Sequence, residues 1–279
     1  MTEQRAARLD GKVVVVTGAS AGVGAAAARR FAELGATVAV VGRSPEKTAA
    51  VAEEIDAKPF TADFTRLTDV RRLAGALADR YPRIDVLANN AGGRFRRRTT
   101  TEDGHEAMIQ VHHLAPFLLT HLLAEQLKTD ARVISTSSAA HAFGRIDLDD
   151  LDGTGKWYGQ TRFYATSKLA GILFARELAR RGHVTAAAFH PGIVASDFFR
   201  DRRVNAVALR SPPGRLVTVT PEQGAEPLVH LATVADARSV NGAYLDRMAR
   251  RDPKGRQPSD AELAKALWDR TAEVLGLTD

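Results

Sequence analysis

KVVVVTGASAGVGAAAARRFAELG, residues 12–35, is the stretch that decides the fold. Its first part, KVVVVTG (12–18), is an unbroken apolar run of the kind that is buried on both faces of a parallel sheet. A glycine-rich turn follows, and the alanine-rich segment 22–35 then predicts a helix that ends at a glycine. A strand, a glycine turn and a helix in this order predict the first βα unit of a sheet with parallel strands.

The same alternation continues along the rest of the chain. The further predicted strands are TVAVVG (37–42), KPFTAD (58–63), RIDVLANNAG (83–92), ARVISTSS (131–138) and HVTAAAFHPG (183–192). The further predicted helices are PEKTAAVAEEI (45–55) and segments near 66–80, 101–127, 160–181, 221–233 and 259–275. We therefore predict an α/β protein with one domain over residues 1–279, built on a doubly wound parallel sheet with helices on both faces. The irregular segment at about 194–220 is predicted to form a small substrate lid.

Composition excludes several classes of protein. The 279 residues include no cysteine, which excludes disulfide bonds and cysteine metal sites and fits a reducing compartment. No apolar segment is long enough for a signal peptide or a membrane span, so we predict a cytoplasmic protein without a membrane partner. The net charge is +6, but the 39 basic residues are spread beside 33 acidic ones, and the one dense patch is RFRRR (94–98). Because no nucleic-acid-binding motif accompanies that patch, we predict no nucleic acid partner.

The glycine-rich turn TGASAGVG (17–24) indicates a phosphate-containing ligand. Glycines let the backbone turn sharply and come close to a pyrophosphate, and the next helix offers unpaired N–H groups and the positive end of its dipole. The spacing G-x-x-x-G-x-G is not that of a P-loop, because no Gly-Lys-Ser/Thr follows. An ordinary tight connection between strand and helix is the alternative. The turn predicts dinucleotide binding, with contacts from Gly18, Ser20, Gly22, Val23 and Gly24.

Five motifs in a fixed order resemble the short-chain dehydrogenase/reductase family. They are TGASAGVG (17–24), NNAG (89–92), STSS (135–138), YATSK (164–168) and HPGIVAS (190–196), and the resemblance spans about residues 10–275. Three segments resemble the retinol dehydrogenase-like branch of that family. They are AAHAFGRIDLDDL (139–151), YATSKLAGILFARELARR (164–181) and KALWDRTAEVLG (265–276). The resemblance implies a Rossmann-type NAD(P)-binding domain with dehydrogenase or reductase activity.

Tyr164 and Lys168 stand four residues apart, so a helix places both on one face. A tyrosine has an ordinary pKa of about 10, and a nearby ammonium favours the phenolate and lowers that pKa. The tyrosine can then give a proton to a carbonyl oxygen, or take one from an alcohol. The resemblance implies that Lys168 also binds the nicotinamide ribose and that Ser138 binds the substrate oxygen. Ser137 is the near alternative to Ser138, and an amphipathic helix with a snorkelling lysine is the alternative without catalysis.

The end of the second predicted strand, VVGRS (40–44), decides between the two nicotinamide dinucleotides. An acidic residue there selects NAD by hydrogen-bonding the ribose 2′-hydroxyl. Gly42 takes the acidic position and Arg43 follows it, and a guanidinium can pair with a 2′-phosphate. We therefore predict NADP(H) as the preferred cofactor, with NAD(H) as the alternative. A solvated Arg43 is the competing interpretation, and Ala21 stands where NADP-dependent relatives often carry a second basic residue.

The resemblance implies further cofactor contacts. Asp63 and Phe64 would flank the adenine, with the carboxylate accepting a hydrogen bond from the adenine amino group. The NNAG segment would bring its backbone close to the adenine ribose, and HPGIVAS would lie beside the nicotinamide. The residues implied in these two segments are Asn90, Ala91, Gly92, Pro191, Gly192, Ile193 and Ser196.

One catalytic position departs from the family pattern. Relatives usually carry an asparagine in a V-N-H-L run before STSS, where it helps to hold a water of a proton relay. This chain reads VHHLAPF (111–117), which puts His112 at that place. Three interpretations stay open: His112 relays protons itself, it fills space beside a surviving water, or the relay is impaired. An imidazole with an ordinary pKa of about 6.5 can change charge near neutral pH, and Pro116 can kink the helix and displace His112.

The predicted substrate pocket combines apolar and basic side chains. The apolar and aromatic candidates are Phe143, Trp157, Phe163, Phe198, Phe199, Val204, Val207 and Leu209, and the basic ones are Arg200, Arg202, Arg203 and Arg210. We predict an NADP(H)-dependent oxidoreductase that reduces a bulky apolar or aromatic ketone or aldehyde, or oxidises the corresponding alcohol. A non-catalytic dinucleotide-sensing protein on the same fold is the alternative.

Assembly is predicted from the resemblance. Relatives commonly pair two long helices into dimers or tetramers, and APFLLTHLLAEQL (115–127) with LAGILFARELA (169–179) offers apolar faces for this. We therefore expect a homodimer or homotetramer. The same faces could equally be covered within the subunit.

Overall fold

The computed structural model describes residues 7–95, 97–155, 159–194 and 218–277. In these ranges the strands are β1 (Val13–Thr17), β2 (Thr37–Gly42), β3 (Lys58–Thr61), β4 (Ile84–Asn89), β5 (Leu127–Thr136), β6 (Thr185–His190), β7 (Ile193–Val194), β8 (Thr218–Val219), β9 (Tyr244–Asp246) and β10 (Ala249–Arg250). The α-helices are α1 (Gly22–Glu33), α2 (Pro45–Glu54), α3 (Leu67–Arg80), α4 (Ala107–Ile109), α5 (Ala115–Leu122), α6 (Gln160–Arg181), α7 (Pro221–Thr233) and α8 (Ala261–Val274). Within the same ranges, none of the helices combines the length and apolarity that crossing a bilayer requires.

The central sheet confirms the predicted α/β architecture. Eight of the strands in the described ranges form one sheet in the order β10-β9-β6-β5-β4-β1-β2-β3. Neighbouring strands are parallel from β3 to β9, and β10 alone pairs antiparallel, with β9. Strands β7 and β8 form a separate short parallel pair. All the strands predicted from the sequence are present, whereas β9 and β10 were not predicted because segments of two or three residues carry no readable pattern.

Strand β1 is buried on both faces of the sheet, which explains its unbroken valine run. Val14 and Val16 belong to the same hydrophobic layer as Phe31 of α1. Val15 belongs to the layer on the opposite face, together with Phe117 of α5. Alternate side chains of a strand point to opposite faces, so helices must cover both faces of this sheet.

The chain reverses its direction of travel across the sheet after β3. From β1 it moves outward to β2 and β3, and it then returns to place β4 on the other side of β1. The helices α1 and α5, which follow β1 and β4, therefore lie on opposite faces of the sheet. This arrangement leaves a crevice at the carboxyl ends of the two strands, where ligands of such sheets bind. The glycine turn and the NNAG segment lie at these two strand ends, so the topology brings both predicted cofactor segments to one place.

The helix predicted over 101–127 is shorter than expected and is broken. It begins at α4, where the Glu106 carboxylate accepts hydrogen bonds from two backbone N–H groups at 2.8 and 3.0 Å. A π-turn (Gln110–Leu114) separates α4 from α5. This wider turn ends two residues before Pro116, which has no N–H to offer to the carbonyl four residues back. The missing N–H of Pro116 therefore explains why the helix is irregular at the turn that contains His112.

The C-terminal helix α8 covers part of the apolar faces of α5 and α6. The Trp268 ring centroid lies 4.6 Å from that of Phe117 and 5.8 Å from that of Phe174. The Arg181 guanidinium carbon lies 4.3 Å from the Trp268 ring centroid, a cation–π contact. These contacts support the alternative in which the apolar faces are covered within the subunit.

Replacing Trp268 with alanine should destabilise the fold, because the variant loses aromatic contacts with two helices. We expect the free energy of unfolding to fall by about 2–3 kcal/mol, less than for a fully buried tryptophan. Chemical denaturation followed by circular dichroism measures the change. Lys265→Ala on the same helix is the control: its ion pair with Asp269 is exposed, and its loss should cost below about 0.5 kcal/mol. Equal losses in the two variants would show that α8 does not stabilise the fold through Trp268.

Candidate active site

The glycine turn approaches the NNAG segment too closely for side chains. Gly18 has a φ of +67°, and a Cβ placed on it would lie 2.7 Å from the Cα of Ala91. A Cβ on Gly24 would lie 2.5 Å from the side-chain nitrogen of Asn90 and would also collide with the Gly18 carbonyl. Only glycine fits at these two positions, because any other residue would force the strand ends apart.

The Thr17 hydroxyl joins the ends of β1 and β4. It accepts hydrogen bonds from the backbone N–H groups of Asn90 at 2.9 Å and Ala91 at 3.0 Å, and it donates to the Ala88 carbonyl at 3.0 Å. The Asn90 amide donates in return to the Thr17 carbonyl at 2.9 Å. At the end of β5, the Thr136 hydroxyl donates to the Asn90 side-chain oxygen at 3.1 Å. These bonds hold the carboxyl ends of three adjacent strands together.

The first turn of α1 fits the phosphates of a dinucleotide. Ala21 is its N-cap and offers no side chain to the first N–H groups, and the first turn contains no acidic residue. A helix terminus of this kind attracts an anion through its unpaired N–H groups and its dipole. Gly22, Val23 and Gly24 would therefore face the pyrophosphate.

At the end of β2, the packing excludes any side chain from position 42. A Cβ on Gly42 would lie 2.8 Å from the Cβ of Ser20 and would collide with the Thr48 hydroxyl. An acidic residue is therefore sterically excluded from the place where it would select NAD. Arg43 follows and is exposed, and in the described part of the chain no carboxylate pairs with its guanidinium. That side chain is available to a 2′-phosphate.

Asp63 and Phe64, after β3, lie in different environments. One carboxylate oxygen of Asp63 accepts hydrogen bonds from the backbone N–H of Thr65 at 2.9 Å and from its hydroxyl at 2.8 Å. The Phe64 side chain is 5% exposed and belongs to the same hydrophobic layer as Val70. A contact between Phe64 and an adenine would therefore have to use the backbone.

The segment after β6 comes close to the glycine turn. A Cβ on Gly224 in α7 would lie 3.0 Å from a Val23 methyl group and 3.5 Å from the Cβ of Pro191, so these two residues face one point. Gly192 has a φ of +93°, and the Ile193 side chain is 41% exposed beside it. This placement is compatible with the implied contact to a nicotinamide.

Other parts of the predicted site lie outside the described residues. This holds for Ser196 among the implied cofactor contacts and for Trp157 among the pocket candidates. It also holds for residues 195–217, which include all the predicted basic residues of the lid.

The two serines after β5 use their hydroxyls differently. Ser137 is buried, and its hydroxyl donates to the Lys168 carbonyl at 2.9 Å. Ser138 is partly exposed, and its hydroxyl oxygen accepts from the Ala140 N–H at 3.2 Å. Ser138, and not Ser137, interacts with the Tyr164 phenol and lowers its pKa. Ser138 is therefore the serine that faces the tyrosine.

The electrostatics around Tyr164 differ from the sequence-based expectation. Burial raises the pKa of the phenol above its ordinary value, while the Ser138 hydrogen bond and the Arg94 charge lower it. Burial also lowers the pKa of Lys168 to about 8. The Lys168 ammonium donates to the Thr136 carbonyl at 3.1 Å and lies 5.8 Å from the Tyr164 ring centroid. In this structure Arg94, rather than Lys168, is the cation that lowers the pKa of the phenol.

His112 lies buried between the NNAG segment and α6. Its Nε2 accepts from the Gly93 N–H at 3.0 Å, and its Nδ1 lies 2.8 Å from the Ser167 hydroxyl oxygen. That hydroxyl donates its hydrogen to the Tyr164 carbonyl at 2.8 Å. Nδ1 must therefore donate to Ser167, and both nitrogens of a neutral ring are satisfied.

A proton relay through His112 would need a second proton on its ring. Burial, followed by the charge of Lys168, lowers the pKa of His112 well below its ordinary value. A proton on Nε2 would also face the Gly93 N–H and break that hydrogen bond. The geometry favours the space-filling interpretation, with the ring holding the loop after β4, and the relay stays a prediction.

Sequence reasoning missed two contacts of the site. Arg94 was considered only as part of a basic patch, although its position directly after the NNAG glycines was the available signal. His141 was not considered, and its Nδ1 donates to the Ser138 carbonyl at 2.7 Å. That bond stabilises the 3₁₀ turn (Ala139–Phe143) that begins after Ser138.

The chain is similar to known proteins over nearly its whole length. The family model for short chain dehydrogenase matches residues 12–206. The "Putative daunorubicin C-13 ketoreductase DnrU" of Streptomyces sp. (strain C5) is 44% identical over 278 residues, which cover 97% of this chain and 94% of the relative. Human retinol dehydrogenase 13 is 35% identical and covers 97% of this chain and 86% of the relative. A short chain dehydrogenase from Burkholderia cenocepacia J2315, crystallised with NADP, matches with a TM-score of 0.69 and 29% identity, covering 86% of this chain and 97% of that one.

If His112 stays neutral, His112→Asn should leave the shape of the pH profile of kcat unchanged around neutral pH, because the ring then takes up no second proton there. His112→Ala should weaken dinucleotide binding, because the Gly93 N–H loses its acceptor. Steady-state kinetics and cofactor titration measure both effects. His121→Asn, an exposed position on α5, is the control and should resemble the unmodified protein. An inflection that is present in the unmodified protein and disappears in His112→Asn would establish the relay instead.

Proposed function

Because the chain belongs to the short chain dehydrogenase family of oxidoreductases, we propose that it is an NADP(H)-dependent reductase of bulky apolar or aromatic ketones or aldehydes. The same site would oxidise the corresponding alcohol in the reverse direction. One observation carries the proposal: the Ser138 hydroxyl, the Tyr164 phenol and the Lys168 ammonium come together at the carboxyl edge of the sheet, beside the glycine turn.

Each of the three side chains has a role in the proposal. Tyr164 gives the proton to the substrate oxygen during reduction and takes it back during oxidation. Ser138 donates a hydrogen bond to the same oxygen, which stabilises the charge that develops there. Lys168 donates hydrogen bonds to the nicotinamide ribose. His112 holds the loop that carries Gly93 against α6 and thereby positions this edge of the pocket.

The cofactor proposal rests on the fit of the residues that are present. The glycine turn and the uncapped first turn of α1 suit a pyrophosphate. Exclusion of a side chain at Gly42 and the available guanidinium of Arg43 support NADP(H) over NAD(H). A bound dinucleotide would supply the hydride in reduction and accept it in oxidation. The NADP complex of the Burkholderia relative supports the same preference.

The substrate class rests on the surroundings of Ser138 and on the relatives. Phe143, at the end of the 3₁₀ turn that begins after Ser138, is 79% exposed. An exposed aromatic ring beside the catalytic serine offers an apolar surface to a substrate. One relative is named as a ketoreductase and another as a retinol dehydrogenase, and both names refer to reactions of a carbonyl or alcohol group.

Assembly and location remain predictions. The covering of Phe117 and Phe174 by Trp268 reduces the apolar surface that would support the expected homodimer or homotetramer. Sedimentation equilibrium decides between these states and a monomer. The cytoplasmic location rests on composition, since a cysteine-free chain fits a reducing compartment.

Turnover of bulky ketones and aldehydes with NADPH, followed by absorbance of the nicotinamide, tests the activity. Tyr164→Phe should lower kcat by about 10²–10⁴-fold while cofactor affinity stays nearly unchanged, because only the transferable proton is lost. Lys168→Ala should lower both kcat and the affinity for the cofactor. Tyr81→Phe, which removes a phenol that packs against Phe60 far from the site, should change neither. Cofactor binding without turnover of any carbonyl compound would favour the dinucleotide-sensing alternative, and an active Tyr164→Phe protein would exclude the proposed chemistry.

Arg43→Asp should reverse the cofactor preference. The variant loses a partner of the 2′-phosphate and adds a like charge, so kcat/KM with NADPH should fall on the order of 10–100-fold, while NADH is affected much less. Lys58→Asp reverses a charge at the exposed start of β3 and serves as the control. An unchanged ratio of the two kcat/KM values in Arg43→Asp would show that Arg43 does not select the cofactor.

A further inference from the structure

Arg94 occupies the catalytic site without a role in the proposed function. It follows Gly92 and Gly93 directly, in the loop that leaves β4, and its side chain is partly buried. Its guanidinium carbon lies 4.9 Å from the ring centroid of Tyr164, in a cation–π contact. The loop that His112 holds against α6 is the loop that carries this guanidinium.

The charge of Arg94 is uncompensated in the described part of the chain. No carboxylate pairs with its guanidinium there and no hydrogen-bond acceptor contacts it. Most of the other arginines in the described ranges differ in this respect: Arg66 pairs with Glu102, and Arg98 donates to the Asp152 carbonyl. Partial burial of an unpaired charge costs free energy. A negative charge that develops nearby during the reaction would offset this cost.

Among the described residues, Arg94 and Lys168 are the cations near the Tyr164 ring, and they differ in how readily they lose their charge. Burial lowers the pKa of Lys168 to about 8, so its ammonium loses its proton in moderately alkaline solution. A guanidinium keeps its charge throughout the range in which proteins stay folded. Arg94 is also the nearer of the two, at 4.9 Å from the ring centroid against 5.8 Å for Lys168.

We propose that Arg94 acts through Tyr164, whose phenolate is stabilised by the permanent charge of the guanidinium. The proposal rests on the proposed function. In reduction, the O–H bond of Tyr164 breaks, its proton goes to the substrate oxygen, and the electron pair stays on the phenolate oxygen. A bound dinucleotide would supply the hydride that the carbonyl carbon needs, so the tyrosine itself is neither oxidised nor reduced. The negative charge then develops on a ring that the guanidinium already contacts, so the attraction grows as the proton is transferred.

Fluorine NMR of protein labelled with 3-fluorotyrosine tests the proposal without any need for turnover. Fluorine makes the phenol more acidic, which brings its titration into a range where the protein is folded, and Tyr164→Phe identifies the signal. Arg94→Gln should raise the titration midpoint of Tyr164 by about one unit or more. Arg94→Lys should keep part of the effect. Arg97→Gln removes the same charge from an exposed position in the same loop and should leave the midpoint unchanged.

Kinetics give the second readout. Arg94→Gln should lower kcat for alcohol oxidation at neutral pH about tenfold and move the alkaline limb of its profile in the direction of the NMR shift. An unchanged Tyr164 midpoint in Arg94→Gln overturns the proposal. So does a variant that raises KM only for carboxylate-bearing substrates, because Arg94 would then bind a substrate anion. A shifted midpoint in a protein that reduces no carbonyl compound supports the electrostatic role and counts against the proposed function alone.

Discussion

The contact between the glycine turn after β1 and the NNAG segment after β4 is the constraint on which the rest of the site depends. A side chain at Gly18 would separate the two strand ends and break the bonds that the Thr17 hydroxyl makes with the backbone of Asn90 and its neighbour. Asn90 also bonds to Thr136 at the end of β5. A separation would therefore reach Ser138, which lies two residues after the end of β5. The close approach of the two backbone segments therefore sets the distance between the crevice beside β1 and the side chains of the candidate site.

Burial and charge act in opposite directions on the catalytic helix. Burial raises the pKa of Tyr164 and lowers that of Lys168, so it works against the charged form of each residue. A lysine buried to this degree is a weaker source of positive charge than its sequence position suggests. Arg94, whose guanidinium carbon lies 4.9 Å from the centroid of the Tyr164 ring, is a second positive charge beside the phenol. The loop after β4 supplies both a cofactor surface and a cation.

Local patterns predicted much of the fold and of the site. The strand and helix order is confirmed because strands buried on both faces read as unbroken apolar runs, and glycine turns mark their ends. The helix over 101–127 was predicted too long, because the effect of Pro116 on the preceding turn cannot be placed from the sequence. The sequence alone could not decide whether Ser137 or Ser138 faces Tyr164. Their hydroxyls differ through contacts with α6, which a strand-end pattern does not contain.

The sequence by itself determined the βα alternation, the glycine cradle, the pairing of Tyr164 with Lys168 on one helix and the absence of an acidic residue after β2. All of these depend on neighbours within a few residues, where spacing dictates geometry. Only the tertiary structure decided which serine faces the tyrosine, that His112 is a neutral donor and acceptor, and that Arg94 lies over Tyr164. These depend on burial and on contacts between segments distant in the chain, because pKa values and hydrogen-bond roles follow from surroundings that packing alone creates.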